Sequence, residues 1–302
     1  MQRLDGLIAA PHTPLHADGS LNLTAIEKQA ELLRESSVRG AFVCGTTGES
    51  ASLRVDERMQ IAQRWCEVAR DDLLIIVHVG HNCLADAQAL AAHAQQVGAY
   101  ATAAMAPCFF KPATVDDLVT FCAAVAQSAP DLPFYYYDIP PMTGVRLSMV
   151  DFLNQGLERI PNLAGIKFSH NDLFEFQQCL RLRDGRFNML FGSDEILLSA
   201  LAVGCRGAVG STYNYAAPVY HRLMKAYQVG DLATAQAEQL KVVELVRTLF
   251  HFGPLAAGKA IMAFLGVECG PVRPPLRNLT TEQMRSLRSR LAPLNIFARP
   301  LR

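Results

Sequence analysis

The sequence predicts an α/β fold, a (β/α)8 TIM barrel followed by extra C-terminal helices. Short apolar runs alternate eight times with amphipathic segments of helical length between residues 6 and 213. The runs are apolar throughout, as expected for parallel strands that are buried on both faces. The connections between them are brief, and a closed barrel is one of the few folds that bury so many apolar strands. No GxGxxG motif follows the first run, which disfavours the competing open doubly wound sheet.

The elements are predicted in order from these runs. The first strand is expected at 6–10, and the first helix at 21–36, where Ile26, Ala30 and Leu33 share one face and Asn22 is the predicted cap. Later strands are short apolar runs, each followed by helical spacing except the last. These strands are predicted at 40–44, 73–79, 101–106, 133–137, 163–168, 189–191 and 207–209, and the helices at 55–69, 85–97, 115–129, from 148, 172–182 and 195–203.

The pattern becomes wholly helical after the eighth strand, with segments at 218–228, 232–252, 254–265 and 281–291. This is more helix than one barrel needs for closure. We therefore expect a barrel over residues 1–213 and C-terminal helices over 214–302 that close it and pack on it as one structural unit.

Composition limits the functional class of the 302-residue chain. Lys and Arg number 28, as do Asp and Glu, so a formal net charge of zero gives no electrostatic footprint for nucleic acid or an anionic membrane. No apolar run reaches membrane-spanning length, and the N-terminus lacks the apolar core of a signal peptide. The eight cysteines are scattered without a CxxC pair, which is typical of free thiols in a reducing cytoplasm. We expect a cytoplasmic protein with a small-molecule substrate and no nucleic-acid or membrane partner.

A lysine lies within the sixth apolar run, the stretch 163–169. Strand alternation places Gly165, Lys167 and Ser169 on one face. A buried ammonium without a partner tends to lose its proton, and the neutral amine is a nucleophile that forms Schiff bases with carbonyl groups. The alternative is a lysine at a strand end that reaches solvent.

Other polar side chains follow the ends of the predicted strands, where the active site of such a barrel lies. The turn 45–48 has two glycines around two threonines, and its backbone N–H groups can bind an anion, although an ordinary turn is the alternative. Tyr137 offers a phenol for proton transfer, or is simply a core aromatic. The segments 192–195 and 210–213 add carboxylates and hydroxyls. Their coincidence at one rim, rather than any single residue, indicates an active site.

A metal site at His78, His81 and Cys83 is disfavoured, because the strand period places the two histidines on opposite faces. We therefore expect no metal ligands.

Three motifs resemble a known family. Gly45-Thr-Thr-Gly-Glu49, Tyr137-x-Ile-Pro140 and Gly165-Ile-Lys167 are similar to signature elements of the N-acetylneuraminate lyase and dihydrodipicolinate synthase superfamily. The resemblance covers nearly the whole chain, including the extra C-terminal helices. It implies a class I, pyruvate-linked aldolase on a (β/α)8 barrel, usually a homotetramer, with no cofactor other than a covalent imine between the lysine and pyruvate.

The resemblance also implies residue roles. Lys167 would form the imine, Tyr137 would shuttle a proton to and from the substrate hydroxyl, and Thr46 would relay that proton. Thr47 would bind the pyruvate carboxylate with a neighbouring backbone N–H. The implied catalytic residues are Lys167, Tyr137 and Thr46, and the implied substrate-binding residues are Thr46, Thr47, Ser169, Gly192, Asp194, Glu195, Gly210 and Ser211.

The residue two after the proline of the tyrosine motif separates two branches of the superfamily. Synthases of the lysine pathway typically carry an arginine there, whereas sialic acid lyases carry an apolar residue, and this chain has Met142. The segments 135–137, 191–195 and 210–214 also resemble the lyases. The implied activity is therefore cleavage of N-acetylneuraminate to N-acetylmannosamine and pyruvate, a carbon–carbon lyase reaction. The alternatives are another sugar-acid aldolase or dehydratase, dihydrodipicolinate synthase, or a non-catalytic barrel that binds a keto acid.

Two positions depart from the family pattern. Asp138 replaces the Asn or His common after the tyrosine, and we expect it to point away from the pocket. Many members lend a tyrosine from a neighbouring subunit after the fourth strand, where this chain has Phe109 and Phe110. A tyrosine relay across the interface is therefore not expected here.

Overall fold

A computed structural model describes residues 3–69 and 72–302. Eight parallel strands form a closed barrel in sequence order, as predicted. Closure is made by β1 against β8, where Gly6 to Ala9 pair in register with Gly207 to Gly210. The strands are β1 (Gly6–Ala9), β2 (Gly40–Val43), β3 (Leu74–His78), β4 (Ala101–Ala104), β5 (Phe134–Asp138), β6 (Leu163–Phe168), β7 (Asn188–Phe191) and β8 (Gly207–Gly210).

Helices surround the barrel and continue past it. Those that follow the strands are α1 (Ala25–Glu35), α2 (Val55–Ala69), α3 (Leu84–Gln96), α4 (Val115–Ala126), α5 (Pro140–Thr143), α6 (Met149–Arg159), α7 (Leu173–Arg181) and α8 (Leu197–Ala202). The C-terminal helices are α9 (Tyr213–Gln228), α10 (Leu232–Phe252), α11 (Pro254–Phe264) and α12 (Thr281–Leu291). No helix within the two described ranges has the length and apolar character that crossing a bilayer would need.

Most predicted boundaries agree with the structure to within a few residues, and two differ. Asn22 is not the cap of α1, because the helix begins at Ala25 and Thr24 precedes it. Helix α9 starts at Tyr213 rather than at residue 218, since the chain is helical before Pro218 and bends at Ala216, where φ is −119°. A proline is tolerated near such a distortion, so its position did not mark the helix start.

Two apolar cores lie on opposite faces of the strands. The interior core fills the barrel and includes Ile8, Phe42, Tyr135 and Tyr137. The outer core lies between the strands and the helices. Because successive side chains of a strand point to opposite faces, this division decides which residues reach the barrel interior.

Asn188 closes the amino end of the barrel. Its Oδ1 accepts hydrogen bonds from the Leu4 N–H at 3.1 Å and from the Tyr135 hydroxyl at 2.9 Å. Its Nδ2 donates to the Leu4 carbonyl at 3.2 Å. One buried amide therefore satisfies three polar groups that would otherwise be unpaired inside the barrel.

Substitution of Asn188 tests this closure. We expect Asn188→Leu to lower the free energy of unfolding by about 3 kcal/mol or more, because each abandoned buried polar group costs about 1–3 kcal/mol. Tyr135→Phe removes only one of the bonds and should cost less. Urea unfolding followed by circular dichroism measures both losses, and equal stability of Asn188→Leu and the wild type would contradict the interpretation.

Candidate active site

Lys167 lies inside the barrel near the carboxyl end of β6. It is 4% exposed. Its Nζ lies 4.0 Å from the centre of the Phe42 ring and 3.8 Å from the centre of the Tyr137 ring. Both aromatic residues belong to the interior core, so the predicted orientation of the lysine is correct and the solvent-exposed alternative is wrong.

Burial lowers the pKa of Lys167 to about 7, and the charge of Asp194 opposes part of that effect. A large fraction of the amine is therefore neutral at neutral pH. A neutral, buried amine between aromatic rings is suited to attack a carbonyl carbon.

Tyr137 lies beside this amine and carries a phenol hydroxyl. Its hydroxyl and that of Thr46 form a hydrogen bond of 3.1 Å. Edge-on contacts with Phe42 and His78 hold the ring, at centroid distances of 5.3 and 5.6 Å. Burial raises the pKa of Tyr137 to about 12, while the bond to Thr46 lowers it. The side chain is thus a neutral phenol at rest, and it can move a proton only by exchange with a neighbour such as Thr46.

The turn after β2 carries Thr46 and Thr47 and is fixed by long-range contacts. Thr13 donates its hydroxyl hydrogen to the Gly48 carbonyl at 2.7 Å. Glu49 adopts a left-handed backbone with φ 56°, and its carboxylate lies 2.7 Å from the Lys259 ammonium. The Arg273 N–H donates to the same carboxylate at 2.9 Å.

The Glu49–Lys259 ion pair was missed by the sequence analysis. Both side chains are almost fully buried, at 1% and 3% exposed. The partners lie on the β2 turn and on α11, and no local pattern links residues so distant in the chain. The pair compensates the unfavourable left-handed conformation of Glu49 and keeps the threonines in place.

Asp194 lies beyond the lysine at the end of β7. Its Oδ2 accepts hydrogen bonds from the Thr212 N–H at 3.0 Å and from the Thr212 hydroxyl at 2.6 Å. Burial raises the pKa of Asp194 to about 6, and the bonds from Thr212 lower it. A Cβ on Gly210 would lie 1.8 Å from Oδ1, so only glycine permits this close approach.

The other predicted binding residues border the same end of the barrel. A Cβ on Gly192 would lie 2.0 Å from the Ser169 hydroxyl, which places these two residues in contact. Thr47 is buried, whereas Glu195 and Ser211 are half-buried. The structure therefore brings the predicted residues into three groups: Tyr137 with both Lys167 and Thr46, Ser169 with Gly192, and Asp194 with Gly210.

His78, the last residue of β3, and His81, three residues later, have separate partners. His78 is buried, and its Nδ1 lies 2.8 Å from the Cys44 carbonyl oxygen. His81 instead lies 3.4 Å from the Asp86 carboxylate. Within residues 3–69 and 72–302, no group of three or more His, Cys, Asp or Glu side chains is arranged to hold a metal ion.

Arg58 is a second residue that sequence reasoning missed. It is 2% exposed, and its guanidinium donates to the His78 carbonyl at 2.6 Å and to the Gly80 carbonyl at 3.0 Å. Helix α2 has an ordinary amphipathic pattern, so the sequence did not indicate that Arg58 is buried against the backbone after β3. It fixes the backbone that carries His78 against Tyr137.

Comparisons with known proteins show which family and which solved structures the chain resembles. A model of the dihydrodipicolinate synthetase family matches residues 3–293. The N-acetylneuraminate lyase of Rattus norvegicus is 40% identical over 304 residues, which covers 99% of this chain and 95% of the relative. The solved N-acetylneuraminate lyase of Proteus mirabilis is 43% identical, with a TM-score of 0.96, and 98% of this chain and 100% of that one are covered. The solved sialic acid aldolase of Aliivibrio salmonicida is 45% identical, with a TM-score of 0.96, and 98% of each chain is covered.

The buried amine predicts a pH-dependent cost in stability. The pKa of Lys167 is lowered from an ordinary 10.5 to about 7, so the folded protein releases a proton that the unfolded chain keeps between these values. Stability should therefore rise with pH across that window. Lys167→Met should be more stable than the wild type near pH 7, by on the order of 1–4 kcal/mol, and the difference should shrink toward pH 10.

Calorimetry or urea unfolding at several pH values measures this difference. Lys28→Met, at an exposed position of α1, is the matched control and should show no such convergence. A Lys167→Met protein less stable than the wild type at every pH would contradict the prediction.

Proposed function

The chain belongs to the dihydrodipicolinate synthetase family, and we propose that this sialic acid aldolase cleaves N-acetylneuraminate to N-acetylmannosamine and pyruvate through an imine on Lys167. The observation that carries the proposal is the buried, near-neutral amine against the Tyr137 ring at 3.8 Å, with Thr46 bonded to the phenol. The proposed nucleophile Lys167 thus contacts the proposed proton carrier Tyr137, which in turn is hydrogen-bonded to the proposed relay Thr46.

The proposed reaction begins when the neutral Nζ of Lys167 attacks the keto carbon. Loss of water gives an imine, which is protonated and draws electrons from the carbon–carbon bond that breaks. Tyr137 accepts the proton of the C4 hydroxyl. Because its pKa is raised to about 12, the phenol passes its own proton toward Thr46 as it does so, and the same relay then returns one proton to the enamine carbon. The resulting enamine is protonated at carbon, and water releases pyruvate and the free amine.

The imine is the only electron sink that this reaction requires, so the proposal includes no metal or other cofactor. The pyruvate carboxylate would bind at Thr47 and the backbone N–H groups of its turn. That turn is fixed by Lys259 through Glu49, which supports a rigid anion site rather than a mobile loop.

The sugar end of the substrate would meet hydroxyl and carboxylate groups. Asp194 has Oδ2 occupied by Thr212, which leaves Oδ1 for a substrate hydroxyl. The remaining proposed sugar contacts are Ser169, Gly192, Glu195, Gly210 and Ser211. Buried polar groups of this kind discriminate strongly in favour of ligands that supply matching hydroxyls.

Dihydrodipicolinate synthase is the competing activity within the family. The position implied to hold the second carboxylate of that substrate is Met142, which is 64% exposed and uncharged. Asp194 and Glu195 would repel a dicarboxylate. These side chains favour the lyase.

We further propose that the protein is a cytoplasmic homotetramer. All eight cysteines are free, which supports a reducing compartment. In the single chain the Phe109 and Phe110 rings are 78% and 86% exposed after β4, which supports a subunit contact there. Light scattering coupled to gel filtration measures the assembly.

The imine is tested by borohydride trapping together with product formation. Incubation of the wild type with pyruvate and borohydride should add a reduced pyruvyl group at Lys167, detected by peptide mass. Lys167→Ala should lose both the adduct and N-acetylneuraminate cleavage. An adduct at another lysine that persists in Lys167→Ala would sink the proposal.

The branch is tested at Asp194, since pyruvate trapping alone does not distinguish lyase from synthase. Asp194→Ala should weaken N-acetylneuraminate cleavage about tenfold or more, because a hydrogen bond to a charged group contributes roughly 1.5–3 kcal/mol. Pyruvate trapping at Lys167 should remain nearly intact, since the two groups bind opposite ends of the substrate. Efficient condensation of pyruvate with aspartate semialdehyde by the wild type, or unchanged cleavage by Asp194→Ala, would favour the synthase instead.

A further inference from the structure

The side chains of Asp138 and His170 form a hydrogen-bonded pair immediately beside Tyr137 and Lys167. Asp138 follows Tyr137 at the end of β5, and His170 comes three residues after Lys167. The His170 Nε2 lies 2.7 Å from Asp138 Oδ2, and the two side chains are 18% and 4% exposed. The sequence analysis gave Asp138 no role and did not consider His170.

The pair lies outside the barrel interior. Asp138 alternates with Tyr137, whose side chain is in the interior core, so the aspartate points to the outer face as expected. The His170 ring lies over the Phe168 ring of that outer face, with centroids 3.9 Å apart. Neither residue can therefore touch a substrate held at Lys167.

The pair joins the ends of two neighbouring strands. The ladder between β5 and β6 ends with Asp138 opposite Phe168. Beyond it, the Ser169 N–H donates to the Asp138 carbonyl at 2.8 Å, and the His170 side chain binds the Asp138 carboxylate. A backbone bond and a side-chain bond thus hold the strand ends together, from Asp138, one residue past Tyr137, to Ser169 and His170, two and three residues past Lys167.

Two other carboxylates lie near His170, but each binds a backbone N–H, and the side-chain partner of His170 is Asp138. The pair opens on a cleft of about 510 Å³ that Arg146, Asp172 and Glu175 also line. Glu175 accepts a hydrogen bond from the Met149 N–H at 2.7 Å, and Asp172 caps α7 by accepting from the Glu175 N–H at 3.0 Å. Asp172 is thus bonded to the first turn of α7, and Glu175 is bonded to the first residue of α6.

We propose that the Asp138–His170 pair is a positioning pair, which sets the separation of Tyr137 from Lys167 by fixing the ends of β5 and β6. The Tyr137 ring touches Nζ at 3.8 Å, and the two residues stand opposite each other in the strand register. A change in the angle between the strand ends therefore moves the proton carrier relative to the amine. The inference rests on the proposed function and adds to it a residue pair that acts through the catalytic residues without touching the substrate.

Single and exchanged variants test the pair. His170→Leu and Asp138→Leu should lower kcat for N-acetylneuraminate cleavage about tenfold or more, because misplacement of a reacting group by about 1 Å can cost on the order of a hundredfold. KM should change less than about threefold, since no sugar contact is lost. His170→Gln, whose amide can still donate to Asp138, should retain most of kcat.

The exchanged double variant, Asp138→His with His170→Asp, should recover most of the activity that the single leucine variants lose. Asp86→Asn disrupts the other histidine–carboxylate pair, at His81 near the end of β3, and should leave kcat unchanged. If the single variants keep kcat, or if a folded exchanged variant recovers thermal stability but not kcat, the positioning role is wrong and the pair only stabilises the fold.

Pyruvate trapping on the same variants separates this inference from the proposed substrate. Imine formation also moves protons beside Nζ, so the trapping rate should fall in the leucine variants and recover in the exchanged one. A wild type that traps pyruvate but does not cleave N-acetylneuraminate would overturn the proposed substrate, and the trapping rates would still decide the positioning role. Equal trapping rates in all variants would overturn the positioning role of the Asp138–His170 pair. Should the leucine variants fail to fold, Asp138→Asn, which removes only the charge, is compared with His170→Gln by the same measurements.

Discussion

The site depends on the burial of one amine. Lys167 lies between two aromatic rings inside the barrel, and burial there leaves a large fraction of the amine neutral at neutral pH, whereas water would keep it protonated. The same environment opposes folding, because the unfolded chain solvates the ammonium freely. The closed barrel tolerates this cost because its two apolar cores provide abundant burial elsewhere. The fold is thus less stable at the point where we propose that the amine reacts, which is common at active sites.

The polar groups around the amine need support from distant parts of the chain. The threonine turn after β2 depends on Glu49, and Glu49 depends on Lys259 of α11 and on the backbone of Arg273. The Arg273 guanidinium in turn binds Glu57 at the start of α2. The C-terminal helices therefore do more than cover the barrel. They hold the turn that we propose to bind the pyruvate carboxylate, so the helices and the barrel form one functional unit.

Sequence patterns predicted the elements better than the contacts between them. The strand 163–168 and the helix 55–69 were predicted with their observed boundaries, since continuous apolar runs and helical spacing report burial directly. Alternation also placed Lys167 on the interior face. The Glu49–Lys259 ion pair and the Asp138–His170 hydrogen bond could not be predicted, because periodicity identifies the face of a residue and not its partner. The predicted start of α9 at Pro218 was wrong, because the chain is already helical from Tyr213 and bends at Ala216, two residues before the proline.

The two ends of the site differ in construction, and this difference bears on specificity. The end at Lys167 and Thr47 is buried and is fixed by backbone bonds, an ion pair and aromatic contacts, so a substitution there alters the chemistry. At the other end Glu195 and Ser211 are half-buried, and only Asp194 is held firmly, by Thr212. Gly192 and Gly210 sit against Ser169 and Asp194 with no room for a Cβ, so they fix how far those polar groups can withdraw. A change of sugar preference would therefore arise at Glu195 and Ser211, where side chains can be exchanged without moving the amine, the phenol or the turn.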